Sequence, residues 1–128
     1  MLFFLCAKTF ACSCKLETFQ NKIDRANLIY SGQVVDAALI ESATGENVIK
    51  YSIVVDKVFK GDKDKKKREL VEELGHSCAN SLFVGKKYLV FTDNENKSWL
   101  CSGTDRYQRY EYEEGEESLG NLIKYSSK

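Results

Sequence analysis

Residues 28–59 decide the fold, and they read LIYSGQVVDAALIESATGENVIKYSIVVDKVF. Leu28 to Ile40 is a long apolar run that predicts a strand, with Gly32 marking a bulge or a sharp bend. Glu41 to Asn47 predicts a turn. Val48 to Phe59 alternates in the way that is typical of a strand partly buried on both faces. We therefore expect the two strands to form a hairpin.

The elements outside this hairpin can be predicted from periodicity. Apolar residues recur every three or four positions between Lys15 and Asn27, which predicts a short amphipathic helix. A charged connection, Lys63 to Arg68, follows the hairpin. Three more strands and a closing helix are predicted at Glu69–Leu74, within Leu82–Phe91, at Lys97–Cys101 and at Leu119–Tyr125. Five strands at this spacing with one early helix predict a mainly-β chain that forms a small barrel rather than an open sheet.

Composition limits the classes of partner. The chain has 128 residues, enough for one domain, with 19 basic and 19 acidic side chains. This zero net charge argues against a nucleic acid or a membrane surface as the main partner, and no apolar run approaches the roughly 18 residues of a spanning helix. We expect a monomer. Six aromatic residues could stack bases, but their spacing along strands predicts core positions: Tyr30, Tyr51, Phe59, Tyr88, Phe91 and Trp99.

The first eleven residues, MLFFLCAKTFA, resemble a secretory signal. Ala11 occupies the small-residue cleavage position, with Thr9 two residues before it. Because a signal has roughly 15–30 residues and a basic front, we expect this one, residues 1–11, to be truncated at its front and removed. The alternatives are a cytosolic protein with an apolar N-terminus and a bacterial lipoprotein, for which Phe10 is a poor fit. Cleavage before Cys12 leaves one domain, residues 12–128, with four cysteines, as suits a secreted, extracellular chain.

The four remaining cysteines predict two disulfides. Cys12 and Cys14 are too close in sequence to bond comfortably to each other, so each needs a distant partner. The partners are Cys78 and Cys101, and the spacing leaves both pairings open. Each bridge would close a long loop, which the chain-entropy view rates at about 4 kcal/mol. A structural zinc site within the chain is disfavoured, because such sites prefer Cys-x(2–4)-Cys knuckles.

Catalytic motifs are scarce. The single histidine, His76, has no second histidine, nucleophile elbow or phosphate loop around it. The carboxylates are scattered in charge runs typical of a solvated surface. We therefore expect no enzyme activity and no cofactor of the chain's own.

Several motifs together are similar to one family. A Cys-x-Cys start at Cys12, a helix, the strand IYSGQVV (29–35) and the run YSIVVDKVFKG (51–61) resemble the inhibitory domain of the tissue inhibitors of metalloproteinases, a pattern shared by the wider netrin-like group. Cys78 followed by Phe83-x-Gly85-x-x-Tyr88-Leu89-Val90, and then Leu100-Cys101-Ser102, extend the likeness. The resemblance covers most of residues 12 to about 107.

The resemblance implies a fold and a site. The fold is a closed five-stranded OB-fold-type Greek-key β-barrel with short flanking α-helices, and the implied bridges are Cys12–Cys78 and Cys14–Cys101. In the family, the α-amine and carbonyl of the N-terminal cysteine chelate the catalytic zinc of a target metalloendopeptidase, and the next residue enters the S1′ pocket. Carried over, the inhibitory ridge consists of Cys12, Ser13, Cys14, Lys15, Leu16, His76, Ser77 and Cys78. Zinc would then belong to the bound, matrix-metalloproteinase-like protease.

The chain departs from the family at two points. The helix carries no cysteine for the family's third disulfide, and Lys15 and Leu16 stand where proline usually follows the Cys-x-Cys. The other function compatible with the resemblance is an extracellular netrin-like adhesion or matrix-binding module without a protease target. A free α-amine on Cys12 separates the two, because only the inhibitor needs it.

Two further motifs suggest surface roles. Lys63 to Arg68 could bind heparin-like polyanions, or it could be a solvated connection. Asn96-Lys97-Ser98 is a glycosylation sequon in a predicted turn, so Asn96 would be the acceptor in a eukaryotic secretory pathway.

Overall fold

The computed structural model of the protein describes residues 18–41, 43–45, 47–73, 82–93, 97, 104–112, 115 and 117–126. These residues form five strands and three short helices. In chain order they are α1 (Phe19–Arg25), β1 (Leu28–Glu41), β2 (Asn47–Lys60), β3 (Lys67–Glu73), β4 (Lys87–Thr92), β5 (Asp105–Arg106), α2 (Tyr107–Glu111) and α3 (Leu119–Ser126). The prediction of a mainly-β chain is confirmed. None of the described helices is long and apolar enough to cross a membrane.

The predicted hairpin is present and central. β1 and β2 pair antiparallel from Ile29 opposite Lys60 to Glu41 opposite Asn47. The register shifts between Ser31 and Gly32, so the predicted irregularity at this glycine is confirmed. A Cβ at Gly32 would lie 2.6 Å from the carbonyl oxygen of Val54. Only glycine therefore allows the two strands to approach this closely.

The five strands form one antiparallel sheet in the order β3-β2-β1-β4-β5. One isolated parallel bridge joins Val71 of β3 to Lys97, which follows β4 on the other side of β1. The sheet therefore curls until its β3 edge meets the segment after β4. It is not closed by continuous pairing within the described residues, so the OB-type Greek-key barrel stays a prediction.

The sheet carries an apolar cluster on each face, because successive side chains of a strand point in opposite directions. Tyr30 and Val90 belong to one cluster, and their chain neighbours Ile29 and Leu89 belong to the other. The first cluster consists of Leu28, Tyr30, Val34, Tyr51, Ile53, Leu70, Leu82, Tyr88 and Val90. The second cluster, to which the helices contribute, consists of Phe19, Ile23, Ala26, Ile29, Leu89, Phe91, Tyr110 and Leu122.

Helix α1 is held to the sheet by stacked rings. Phe19 is 1% exposed and lies 6.1 Å from the Tyr110 ring in a stacked arrangement. It also meets Phe91 edge-on, with 6.3 Å between ring centroids. The helix is confirmed from Phe19 to Arg25, and residues 15–17 of the prediction lie outside the described residues. Of the predicted aromatic core, Tyr30, Tyr51, Tyr88 and Phe91 are buried and Phe59 is partly buried, whereas Trp99 lies outside the described residues.

The C-terminal third differs from the prediction. Lys97 forms the isolated bridge to Val71, and the rest of the predicted strand Lys97–Cys101 lies outside the described residues. The fifth strand is instead the two-residue β5, followed by α2, which the sequence did not predict. The physical reason is that Tyr110 is the only buried residue of α2, so the segment has no apolar period. The predicted strand at 69–74 and the closing helix at 119–125 are confirmed as β3 and α3.

Candidate functional site

The residues of the predicted inhibitory ridge lie outside the described part of the chain. This applies to Cys12, Ser13, Cys14, Lys15, Leu16, His76, Ser77 and Cys78, and equally to Cys101 and Asn96. The proposed pairings Cys12–Cys78 and Cys14–Cys101 stay predictions. What the structure does show is how the neighbouring described residues are held, and these are Thr18 on one side and β3 and Leu82 on the other.

Two buried tyrosines fix the chain directly after the segment 74–81. The Tyr51 hydroxyl of β2 accepts a hydrogen bond from the Leu82 backbone N–H at 3.3 Å. The Tyr88 hydroxyl of β4 accepts one from the Phe83 N–H at 2.8 Å. Both rings are only 3% exposed and belong to the first cluster. We call Tyr51 and Tyr88 the tyrosine pair.

Burial also keeps the Tyr51 hydroxyl suited to this contact. Burial raises the pKa of Tyr51 above its usual value, although the Leu82 hydrogen bond works in the opposite direction. The hydroxyl is therefore neutral at physiological pH, and it keeps its proton while it accepts from Leu82. The sequence predicts both tyrosines as core residues, but it does not predict their hydroxyl contacts. Positions 31 and 5 residues apart in sequence carry no periodic signal that could have revealed them.

On its N-terminal side, the segment 74–81 follows β3, a strand that contributes to the first cluster. β3 pairs with β2 up to Val48 opposite Glu73, and Leu70 in its middle is fully buried. The segment that carries His76 to Cys78 thus begins at a paired strand and ends at the tyrosine pair. Displacing either end requires opening the first cluster, which makes both ends costly to move.

An exposed apolar turn follows the tyrosine pair contact. Phe83 is 57% exposed and Val84 is 56% exposed. The turn is held against β1, because the Gly85 N–H donates to the Val34 carbonyl at 2.7 Å and the Val34 N–H donates to the Lys86 carbonyl at 3.0 Å. Gly85 has a φ of 95°, which favours glycine. Two apolar side chains are therefore displayed on a fixed backbone close in sequence to the predicted ridge.

On the N-terminal side, the chain is fixed from Thr18 onward. The Thr18 side chain caps α1 by accepting from the Asn21 N–H at 3.1 Å. Phe19 then enters the second cluster. The predicted wedge at Cys12 to Leu16 is thus separated from a capped and anchored helix by Glu17 alone.

Charged side chains join the three helices. Lys22 of α1 lies 3.3 Å from Glu117, and Arg109 of α2 lies 2.7 Å from the same carboxylate. Burial alone would raise the pKa of Glu117, but Lys22 and Arg109 outweigh burial and hold this pKa below its usual value. Glu117 lies two residues before α3 and so ties α1 and α2 to the start of that helix.

The predicted polyanion segment, Lys63 to Arg68, borders a cavity. Its volume is ≈ 420 Å³, and it is lined by Ser52, Lys65, Lys67, Arg68 and Glu69. The cavity lies where β2 pairs with β3, with Ser52 opposite Glu69 and Val54 opposite Lys67. Within the described ranges, no group of three or more His, Cys, Asp or Glu side chains could hold a metal ion.

Comparisons with known proteins add no assignment. No protein-family model matches the chain, and no curated protein sequence matches it. The likeness to the tissue inhibitors of metalloproteinases therefore rests on the motifs and spacings of this sequence.

Proposed function

We propose that the chain is a secreted inhibitor of zinc metalloendopeptidases. In this proposal, removal of residues 1–11 makes Cys12 the first residue, whose α-amine and carbonyl oxygen chelate the zinc of the target protease. Ser13 enters the S1′ pocket, and Lys15 and Leu16 extend the contact. His76 and Ser77 form the neighbouring part of the ridge.

The chemistry of a catalytic zinc suits such a ligand. A catalytic zinc keeps one coordination position open for water. An α-amine has a pKa near 8, and a metal favours its unprotonated form. The amine and the carbonyl of one residue form a five-membered chelate that can displace this water. The inhibitor therefore needs a free α-amine on Cys12, with no residue before it.

The observation that best supports the proposal is the anchoring of the described residues that flank the segment 74–81, which are β3 on one side and Leu82 and Phe83 on the other. This segment carries Cys78, to which the resemblance pairs Cys12. Because β3 and the tyrosine pair hold the described residues on both sides of this segment, a Cys12–Cys78 bridge would join the chelating residue to a segment flanked by core contacts. Little ordering entropy would then oppose association with a protease.

The test is inhibition of several zinc endopeptidases by the oxidatively folded chain that begins at Cys12. We expect competitive inhibition of at least one of them. We also expect Ser13→Gly to weaken inhibition without lowering the melting temperature, because it trims the pocket contact and leaves the disulfides intact. Inhibition that is unchanged in Ser13→Gly would contradict the role of Ser13.

The second candidate is the matrix-binding module without a protease target, and the basic cavity between β2 and β3 favours it. Absence of inhibition across the protease panel, from a chain with both disulfides formed, would replace the first proposal with this one.

A further inference from the structure

The connection between β2 and β3, together with the strand ends beside it, concentrates positive charge in a neutral chain. Residues 60–68, KGDKDKKKR, contain six basic and two acidic side chains, whereas the whole chain has a net charge of zero. Such a local excess attracts anions even when the net charge does not. Three of the six, Lys65, Lys67 and Arg68, line the cavity of ≈ 420 Å³.

Two of the nearby carboxylates, those of Asp62 and Glu69, have partners. Asp62 Oδ2 lies 3.9 Å from Arg68 Nη2, and Asp62 Oδ1 accepts from the Asp64 N–H at 2.9 Å. Glu69, the one acidic residue among the described residues of the cavity wall, pairs with Lys50 at 3.3 Å. By contrast, the ammonium groups of Lys65 and Lys67 form no ion pair with any residue that the structure describes. The cavity therefore presents uncompensated positive charge.

Arg68 adds a buried donor to the cavity. Its side chain is 12% exposed, and its Nη2 donates to the Asp62 carbonyl at 3.1 Å. Its Nε–H is buried and has no acceptor in the described structure. A buried donor without an acceptor costs free energy, and the guanidinium group is the side chain best suited to sulfate-type and phosphate-type oxygens.

We propose that this cavity binds a sulfate group of a sulfated polysaccharide. Arg68 and the two lysines would contact the sulfate oxygens, and the Ser52 hydroxyl would contact the sugar. The volume is within the range of small-ligand pockets and admits one sulfated sugar unit. Among the described residues, no aromatic ring lines the cavity, so they offer no stacking surface of the kind that single-stranded nucleic acids use. This inference does not depend on the proposed protease inhibition.

The test measures the affinity of the folded chain for a heparin hexasaccharide by calorimetry at several salt concentrations. Two double variants remove the same charge from the same run. Lys65→Gln with Lys67→Gln alters the cavity wall, and Lys63→Gln with Lys66→Gln alters two exposed lysines outside it. We expect the first pair to weaken binding by about tenfold or more and the second pair by less than about threefold. We also expect the first pair alone to reduce the salt dependence of the affinity.

Three results would overturn the proposal. The first is an equal loss of affinity in both double variants, which would assign binding to the charge of the run rather than to the cavity. The second is no measurable binding of the hexasaccharide by the unaltered chain. The third is equally tight binding of single-stranded DNA or of anionic phospholipid vesicles at the same salt concentration. Both double variants are expected to keep the melting temperature of the unaltered chain, since the four lysines are exposed.

Discussion

The two apolar clusters of the sheet hold their neighbouring segments by different interactions. The first cluster uses polar atoms as well as apolar area, since the Tyr51 and Tyr88 hydroxyls accept hydrogen bonds from the backbone of Leu82 and Phe83. The second cluster holds α1 through stacked rings, and ion pairs at Glu117 join the helices around it. The first cluster fixes a single stretch of backbone, and the second cluster fixes whole helices.

Ring packing and hydrogen bonds to the backbone are useful in different places. Packed aromatic rings stabilise mainly through the large apolar area that they bury, which suits the attachment of a whole helix. A hydrogen bond to a backbone N–H fixes one residue in one place, which suits the border of a binding segment. The segment 74–81, which carries three residues of the proposed ridge, adjoins the directional side.

The largest effect is expected from Phe19→Ala. This substitution removes a ring that is 1% exposed from the centre of the second cluster, and it should lower the free energy of unfolding by about 3–5 kcal/mol. Urea unfolding measures the change. The matched control is Tyr112→Ala. Tyr112 is an aromatic residue directly after α2, and it is 73% exposed. It should change stability by less than about 0.5 kcal/mol. Similar losses in both variants would contradict the central place of Phe19.

An intermediate effect is expected from removing the hydroxyls of the tyrosine pair. Tyr51→Phe leaves the Leu82 N–H without its acceptor, and Tyr88→Phe does the same to the Phe83 N–H. Each substitution should cost about 1–2 kcal/mol. Hydrogen exchange of the two amides is the sharper measurement, because each variant should lower the protection of one amide more than that of the rest of the core.

Tyr30→Phe is the control for both hydroxyl variants. Tyr30 lies in the same cluster and is 1% exposed, but its buried hydroxyl has no hydrogen-bond partner among the residues that the structure describes. Removing this hydroxyl should leave stability unchanged or raise it slightly, because no hydrogen bond is lost and an unmet polar group disappears. If Tyr30→Phe lowered the protection of the Leu82 and Phe83 amides as much as the other two variants do, the directional role of the tyrosine pair would be wrong.

The smallest effect is the pH dependence of the helical side. The folded-state pKa of Glu117 lies below its unfolded value. The stabilisation that the ionised Glu117 carboxylate provides is therefore complete above about pH 4.5, and it is lost as the pH falls through the folded-state pKa. Glu117→Gln should remove this contribution. Unfolding measured from pH 7 down to pH 3 should therefore show the two proteins converging in stability at the acid end. A stability difference that stayed constant over this range would contradict the assignment.

The elements that were predicted correctly are those with a local signal. The hairpin follows from two adjacent apolar runs, the irregularity at Gly32 from a glycine inside a strand, and α3 from an amphipathic period. Elements that depend on distant contacts were missed. Tyr110 is the only buried residue of α2, and its packing against Phe19, far away in sequence, helps to explain why α2 forms there.

The candidate site, too, could be predicted only in part from the sequence. The motif order at Cys12, Cys78 and Cys101 suggested the ridge, whereas nothing in the sequence indicated that tyrosine hydroxyls hold the backbone beside it. The basic run at Lys63 to Arg68 was recognised from its composition. Its division into cavity-lining and outward lysines depends on the pairing of β2 with β3, which only the folded chain defines.

The most direct test of the account compares two oxidatively folded forms against the same zinc endopeptidases. One form begins at Cys12, and the other carries a single additional alanine before Cys12. We expect the first form to inhibit the proteases and the second form not to inhibit them, because the alanine converts the chelating amine into a peptide nitrogen. Equal inhibition by the two forms would contradict zinc chelation by the Cys12 amine.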